Sequence, residues 1–91
     1  MAIKFDVNVM YTAHSFTEEE FGKVIKRHAK LIGEIAFRYP YVYFGYMSNG
    51  SAGLKGKGKL MAAVFEYHTE AISECMRLME IIDEEAISDE E

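Results

Sequence analysis

The sequence predicts a small α+β domain in which two helices cover one face of an antiparallel sheet, in the order β-α-β-β-α. Three observations predict this fold class. An alternating apolar run opens the chain, a helix with clear start and stop signals follows it, and two further apolar runs flank a loop rich in glycine and lysine. With 91 residues, the chain is long enough for one hydrophobic core and one domain.

The first predicted element is a strand over residues 3–12. Period-two alternation of β-branched and aromatic residues with mostly polar ones is typical of a half-buried strand. The pattern therefore predicts that the odd-numbered side chains face the core. These side chains are Ile3, Phe5, Val7, Val9 and Tyr11.

The second predicted element is one helix over Glu18–Arg38. Thr17 and Glu20 have the spacing of a capping box, which indicates the start of the helix. Pro40 disfavours helical backbone at the residue before it, which predicts where the helix ends. Apolar residues recur at helical spacing between these signals, with His28 near the middle of the apolar face.

The second half of the chain supports two interpretations. Tyr41–Met47 is predicted to be an aromatic strand, and a loop of glycine and lysine residues extends to about Gly58. The next run, Leu60–Tyr67, is predicted to pair with that strand in a hairpin, before a helix from Thr69 to about Glu85. As the alternative, helical periodicity through this run predicts a β-α-β unit followed by one long C-terminal helix.

The hairpin interpretation resembles a plait-like two-layer domain, a truncated ferredoxin-like fold that stops before its last strand. It assigns residues 1–86 to a single domain and residues 87–91 to an acidic frayed tail. A missing fourth strand leaves the edge of the first strand open, and an open edge favours pairing with another copy. The sequence therefore predicts a homodimer.

Charge is distributed unequally along the chain, whose net charge is −5. Residues 1–59 carry nine basic and five acidic side chains, whereas residues 60–91 carry one basic and ten acidic ones. Such asymmetry indicates separate electrostatic surfaces or charged partners. Cys75 is the single cysteine, which favours a reducing compartment, and no apolar run approaches the roughly 18 residues of a membrane span. We therefore expect a soluble, cytoplasmic protein without membrane contact.

The loop over residues 48–59 is the first candidate binding site. Residues 53–59 match the spacing of a P-loop, G-x-x-x-x-G-K, but Leu60 stands where that motif requires Ser or Thr to hold magnesium. Glycine backbone beside lysine side chains still suits a phosphate-bearing ligand, such as a nucleotide or nucleic acid. The predicted binding residues of the loop are Lys55, Gly56, Lys57, Gly58 and Lys59.

A second basic surface lies on the predicted helix. Four cations recur at the spacing i, i+3, i+4 and i+7, so they share a helical face that could contact phosphates or an acidic protein. The alternative is a solvated face stabilised by Glu19–Lys23 and Glu34–Arg38 pairs. The four cations are Lys23, Lys26, Arg27 and Lys30.

The acidic terminal third favours a protein partner. Acidic side chains there would meet a basic groove, such as that of a larger enzyme that handles nucleic acid, and tyrosines would add contacts on the helix-free sheet face. The predicted interaction residues are Glu80, Asp83, Glu84, Glu85, Tyr43 and Tyr46. We expect a small non-enzymatic inhibitor of this kind. Compact inhibitors occur in phages, so a viral source is one hypothesis.

The sequence contains no recognisable catalytic constellation. His14, His28 and His68 lack metal-ligand spacing, and nothing identifies a nucleophile beside them. We therefore predict no metal, no cofactor and no catalytic residue. The remaining hypothesis is a small enzyme whose pocket forms between subunits.

Overall fold

The computed structural model describes residues 6–48, 56–65 and 68–90, with side chains described as far as residue 86. Within these ranges the chain forms four strands and three helices, so the predicted α+β class is confirmed. In chain order they are β1 (Val7–Tyr11), β2 (Phe16–Thr17), α1 (Glu18–Arg27), α2 (Ala29–Arg38), β3 (Val42–Ser48), β4 (Lys57–Phe65) and α3 (Thr69–Glu90).

Strand β4 is the centre of the antiparallel sheet. Strand β3 pairs with one side of it, from Val42 opposite Val64 to Ser48 opposite Gly58. Strands β1 and β2 pair with its other side in succession, β1 opposite residues 61–65 and β2 opposite Gly58 and Lys57. Every neighbouring strand is therefore antiparallel to β4, which is hydrogen-bonded on both sides.

The predicted hairpin is present, and the alternative of one long C-terminal helix is wrong. Strand β4 covers the ambiguous run, and α3 begins only at Thr69. The even-numbered side chains of β4 from Leu60 to Val64 are buried, while its odd-numbered side chains lie on the opposite face. Both sets are largely apolar, so the period of two is hidden in the sequence. Pairing on both sides of β4 decides the conformation.

The predicted single helix Glu18–Arg38 is two helices. The break is at His28, which has φ −106° and ψ 15°, outside the helical region. His28 N still donates to Val24 O at 3.0 Å, and Ile32 N donates to His28 O at 3.0 Å. Apolar periodicity continues across the break, which is why the sequence does not reveal it.

Both predicted helix ends are confirmed. Glu20 N donates to Thr17 Oγ1 at 3.1 Å, and Thr17 N donates to Glu20 Oε1 at 3.0 Å, which completes the capping box. The hydrogen bonds from the Thr17 backbone and hydroxyl lower the pKa of the Glu20 carboxyl. At the other end, Tyr39 N donates to Ile35 O at 2.8 Å, immediately before Pro40.

The core lies between the sheet and one layer of helices. Helix α3 contacts β1 and β4, α2 contacts β3, and α1 contacts β2 and β4. Apolar side chains from both layers meet there without solvent exposure, as a hydrophobic core requires. The most deeply buried include Ile35, Leu60, Val64, Cys75, Leu78 and Ile82.

The buried face of β1 is the opposite of the predicted one. Its odd-numbered residues are 42% to 45% exposed, whereas Met10 packs against the core. The register gives the reason: Val9 lies opposite Ala63, on the face of the sheet that the helices do not cover. Ile3 and Phe5, predicted on the same face, lie outside the described residues.

A buried threonine connects β1 to β2. Thr12 N donates to Leu60 O at 3.0 Å, and Thr12 Oγ1 accepts from Leu60 N at 3.1 Å. The same hydroxyl donates to His14 O at 3.0 Å. The Thr12 side chain thus replaces a ladder bond at the point where the chain leaves β1, so both backbone groups of Leu60 are satisfied.

We expect Thr12→Val to lower the free energy of unfolding by about 1–3 kcal/mol, because the buried Leu60 N–H loses its acceptor. Thr12→Ser keeps the hydroxyl and is the matched control, with a smaller loss from the missing methyl group. Urea unfolding followed by circular dichroism measures both. A valine variant as stable as the wild type would show that this hydrogen bond contributes nothing.

Candidate functional site

The exposed apolar side chains concentrate on the sheet face opposite the helices. Of the eight large hydrophobic residues exposed in the described ranges, six lie on this face: Val7, Val9, Tyr11, Tyr43, Met47 and Phe65. We call the surface the open face. Its described residues are these six together with Thr17, Gly45, Lys57, Lys59, Met61 and Ala63. Apolar residues that are exposed singly are common on protein surfaces, whereas a group of them on one face usually marks an interaction site.

One end of the open face is aromatic. The rings of Tyr43 and Phe65 meet edge to face, with centroids 5.4 Å apart and an interplanar angle of 87°. Together with Pro40 and Tyr41 they border a shallow depression of about 580 Å³, whose floor includes Ala63. We call Pro40, Tyr41, Tyr43 and Phe65 the aromatic end. Such a depression accepts an apolar or cationic side chain.

The other end of the open face is basic. Lys57 and Lys59 occupy the start of β4, opposite Thr17 and Met47 respectively. We call these two lysines the basic end. Gly56, just before them, has φ +80°, a left-handed turn conformation that favours glycine. Strand β4 therefore begins earlier than predicted, and two of the predicted loop lysines belong to the sheet. Lys55 lies outside the described residues.

Gly58, predicted to bind phosphate, is a buried strand residue. A Cβ atom there would lie 2.5 Å from Met47 O and 2.6 Å from the Tyr46 ring. Close packing explains this glycine without a ligand. The Tyr46 hydroxyl donates to Phe16 O at 2.9 Å, and its ring lies 4.6 Å from that of Phe21. Tyr43 and Tyr46, predicted to act together, therefore lie on opposite faces.

The predicted basic helical face lies on the outer surface of the helix layer. All four of its cations, Lys23, Lys26, Arg27 and Lys30, are exposed. Lys23 Nζ lies 3.8 Å from Glu19 Oε1, which confirms that pair. Arg38, predicted to pair with Glu34, contacts Glu74 of α3. Exposed pairs of this kind contribute at most about 1 kcal/mol each.

Two of the predicted acidic interaction residues make contacts within the domain. Asp83 Oδ2 and Oδ1 accept hydrogen bonds from Ala13 N and His14 N, both at 2.9 Å. Glu85 Oε2 lies 2.8 Å from His28 Nε2 and 3.6 Å from Arg27 Nη1. Glu80 and Glu84 are exposed on the same helix. The sequence offers no signal for these contacts, since each joins residues more than fifty positions apart.

A cleft of about 200 Å³ lies beside the His28–Glu85 pair. His14 and Arg27 also border it, and the side chain of His28 is 10% exposed. A histidine–carboxylate pair can transfer protons, but the residues that line this cleft include no serine, threonine or cysteine nucleophile. Cys75 is buried, and desolvation raises the pKa of its thiol to about 11.

The described residues provide no group of three or more His, Cys, Asp or Glu side chains suited to a metal ion. His68 stacks on Tyr41, with ring centroids 4.3 Å apart.

No helix in the described ranges combines the length and the apolar character that crossing a bilayer requires. Comparison of the chain with protein-family models, curated proteins and solved structures finds no match.

Proposed function

We propose that this chain is a non-enzymatic protein-interaction module that binds its partner through the open face. The observation that carries the proposal is that six of the eight large hydrophobic residues exposed in the described part of the chain lie on that face. Water around these side chains is released when a second apolar surface covers them, and this release favours association. Aromatic residues and methionine are also the residue types enriched at the centres of protein interfaces.

The size of the face sets the expected affinity. Covering roughly 400 Å² of apolar surface contributes about 10 kcal/mol, and association costs about 4 kcal/mol or more in lost freedom of motion. The balance of about 6 kcal/mol corresponds to a dissociation constant of tens of micromolar, and a larger association cost would weaken binding further. Tyr43 is the expected anchor, because it is 59% exposed and adjoins the Phe65 ring.

The acidic surface of α3 supplies a second, weaker part of the proposal. Glu80 and Glu84 are exposed, so they are available to a basic partner such as an enzyme that handles nucleic acid. Asp83 and Glu85 are left out of this surface because they contact Ala13, His14 and His28 within the domain. The role of inhibitor rests on this charge alone, and rim charges affect the rate of association more than affinity.

Single-stranded nucleic acid is the second candidate for the same face. The supporting observation is that the exposed aromatic rings of the open face share its surface with two lysines; the rings are those of Tyr11, Tyr43 and Phe65, and the lysines are Lys57 and Lys59. Bases stack on such rings while lysines neutralise phosphates. Aliphatic side chains occupy most of the remaining face, and the chain carries a net charge of −5, so we favour protein.

We also propose a fold type for this domain and a cellular compartment for the protein. The order of β1, β4 and β3 across the sheet, with the helices on one face, supports a plait-like, truncated ferredoxin-like domain whose last strand is missing beside β1. The lone thiol of Cys75, buried and free, suits a reducing cytoplasm.

The test replaces Tyr43 with the photo-crosslinking residue benzoylphenylalanine and irradiates the protein in an extract of its source cells. Phe37 is the matched control position, because it is an aromatic residue 92% exposed on α2 in the helix layer. We expect position 43 to form a discrete protein adduct several-fold more abundant than any from position 37. A nuclease-sensitive adduct would assign the face to nucleic acid, and equal yields at both positions would contradict the proposal.

A further inference from the structure

We infer that the partner bound to the open face is a second copy of this chain. The two copies stack sheet to sheet, so that the basic end of each copy covers the aromatic end of the other copy. This inference rests on the proposed function and specifies the partner. It differs from the edge-to-edge homodimer predicted from the sequence, because the contact is made by side chains of the sheet face. The outer edge of β1, which no strand pairs with in the described residues, remains outside the contact.

The outline of the open face fits that of a second copy. Three rows of strand form the face: β3 with seven residues, β4 with nine, and β1 followed by β2, which together lie alongside both ends of β4. At a spacing of about 4.8 Å between strands and a rise of about 3.3 Å per residue, these rows span roughly 14 by 26 Å. An identical sheet has a similar outline, so it can cover most of the open face that the described residues form. Side chains enlarge the contact beyond the backbone outline, towards the lower limit of roughly 1,000 Å² for specific interfaces.

The centre of the open face is formed by small and flexible side chains. Gly45 lies opposite Met61 on β4, and the Met61 Cε atom is 3.3 Å from the position that a Cβ atom of Gly45 would occupy. The methionine therefore fills the gap at the glycine, and the adjacent Ala63 is small. Met61 and Ala63 also line the depression at the aromatic end, so the low centre of the face can receive side chains of a second sheet at the usual separation of about 10 Å.

Charge determines the orientation of the second copy. Among the described residues, the open face carries Lys57 and Lys59 and no carboxylate of its own, although Glu20 lies close enough to Lys57 to interact with its charge. Stacking like ends together would place four ammonium groups close to one another in a contact that excludes water, which is unfavourable. A twofold axis across the strands avoids this, because it reverses the strand direction of the second copy. Lys59 then lies near the Tyr43 and Phe65 rings of that copy, where a cation–π contact is favourable.

The first experiment measures self-association by analytical ultracentrifugation over a range of concentrations. Tyr43→Lys places a cation at the aromatic end, and Phe37→Lys makes the same chemical change on the exposed surface of α2. We expect a wild-type dimer, a dissociation constant raised at least tenfold by Tyr43→Lys, and no change for Phe37→Lys. Circular dichroism checks that each variant is folded. If Tyr43→Lys does not fold, the dissociation constant is measured for Val9→Lys, which places a cation on the same face.

The second experiment tests orientation with a short bismaleimide cross-linker. In the proposed dimer, Tyr43 of one copy lies across from Met47 of the other, so a mixture of Tyr43→Cys and Met47→Cys chains should form cross-linked dimers. Either variant alone should form far fewer. Cys75 does not interfere, because it is buried and its thiol has a raised pKa of about 11.

The outcomes separate the inference from the proposed function. A monomeric wild type whose position 43 still cross-links to another protein overturns the homodimer and retains the interaction module. A dimer that Tyr43→Lys leaves intact also overturns the inference, and assigns association to another surface such as the β1 edge. A monomer without any adduct at position 43 contradicts both proposals.

Discussion

Gly58→Ala is expected to lower the free energy of unfolding by about 3 kcal/mol, near the upper end for overpacking. The added Cβ would lie 2.5 Å from Met47 O and 2.6 Å from the Tyr46 ring, which real structures do not tolerate. Neither neighbour can move easily. Met47 belongs to the β3–β4 ladder, and Tyr46 is held by its hydrogen bond to Phe16 O and its contact with the Phe21 ring.

The matched control is Gly33→Ala, which makes the same chemical change in the middle of α2. No atom lies within 4 Å of the Cβ position there. Alanine has the higher helix propensity, so this variant should be more stable than the wild type by about 0.5–1 kcal/mol. Chemical denaturation of both variants gives the comparison. Equal effects of the two substitutions would contradict the packing that the structure shows around Gly58.

Asp83→Ala is expected to lower the free energy of unfolding by about 2 kcal/mol. Its carboxylate accepts two backbone hydrogen bonds, from Ala13 N and His14 N, and hydrogen bonds to a charged group are stronger than neutral ones. Without the carboxylate, the segment between β1 and β2 loses its attachment to α3. Asp83→Asn retains one acceptor oxygen and should lose only part of this stability.

Glu84→Ala is the control for Asp83→Ala, because Glu84 is the exposed acidic neighbour on the same helix. We expect it to change stability by less than about 0.5 kcal/mol. Thermal and urea unfolding of the three variants provide the measurement. If Asp83→Ala changes the free energy of unfolding as little as Glu84→Ala does, the Asp83 carboxylate does not stabilise the fold. Asp83 would then be available to a partner, like Glu80 and Glu84.

Separating these acidic residues matters for the interpretation of function. The acidic terminal third was the strongest charge signal in the sequence, with ten acidic side chains in residues 60–91. Two of the four predicted interaction residues there, Asp83 and Glu85, contact the backbone at residues 13 and 14 and the His28 side chain. A loss of binding on neutralising the whole region would therefore combine loss of an interface with loss of stability.

Local signals in the sequence predicted the elements whose ends depend on neighbouring residues. The start of α1 follows from the Thr17–Glu20 capping box, whose two hydrogen bonds join residues three positions apart. The end of α2 follows from Pro40. The β3–β4 hairpin was also predicted, although the helical alternative stayed open because both faces of β4 are apolar.

Long-range contacts decided what the sequence could not. The break at His28 lies within an uninterrupted helical periodicity, and its side chain contacts Glu85 in α3, 57 positions away. The burial of β1 was assigned to the wrong face, because alternation shows that two faces exist but not which one the helices cover. Gly58 was assigned to a phosphate loop, whereas its packing depends on Tyr46 and Phe16 from two other strands.

The sequence by itself determined the α+β class, the succession of a strand, a helical segment, a hairpin and a last helix, and the signals that begin and end the first helical segment, but not the short strand β2 or the break at His28. These properties depend on interactions between residues a few positions apart, so the pattern of residue types along the sequence predicts them. Only the tertiary structure decided that six exposed hydrophobic residues from β1, β3 and β4 share one uncovered face. That arrangement depends on strand register, which sets the face of every side chain at once, and register is a property of the pairing between strands.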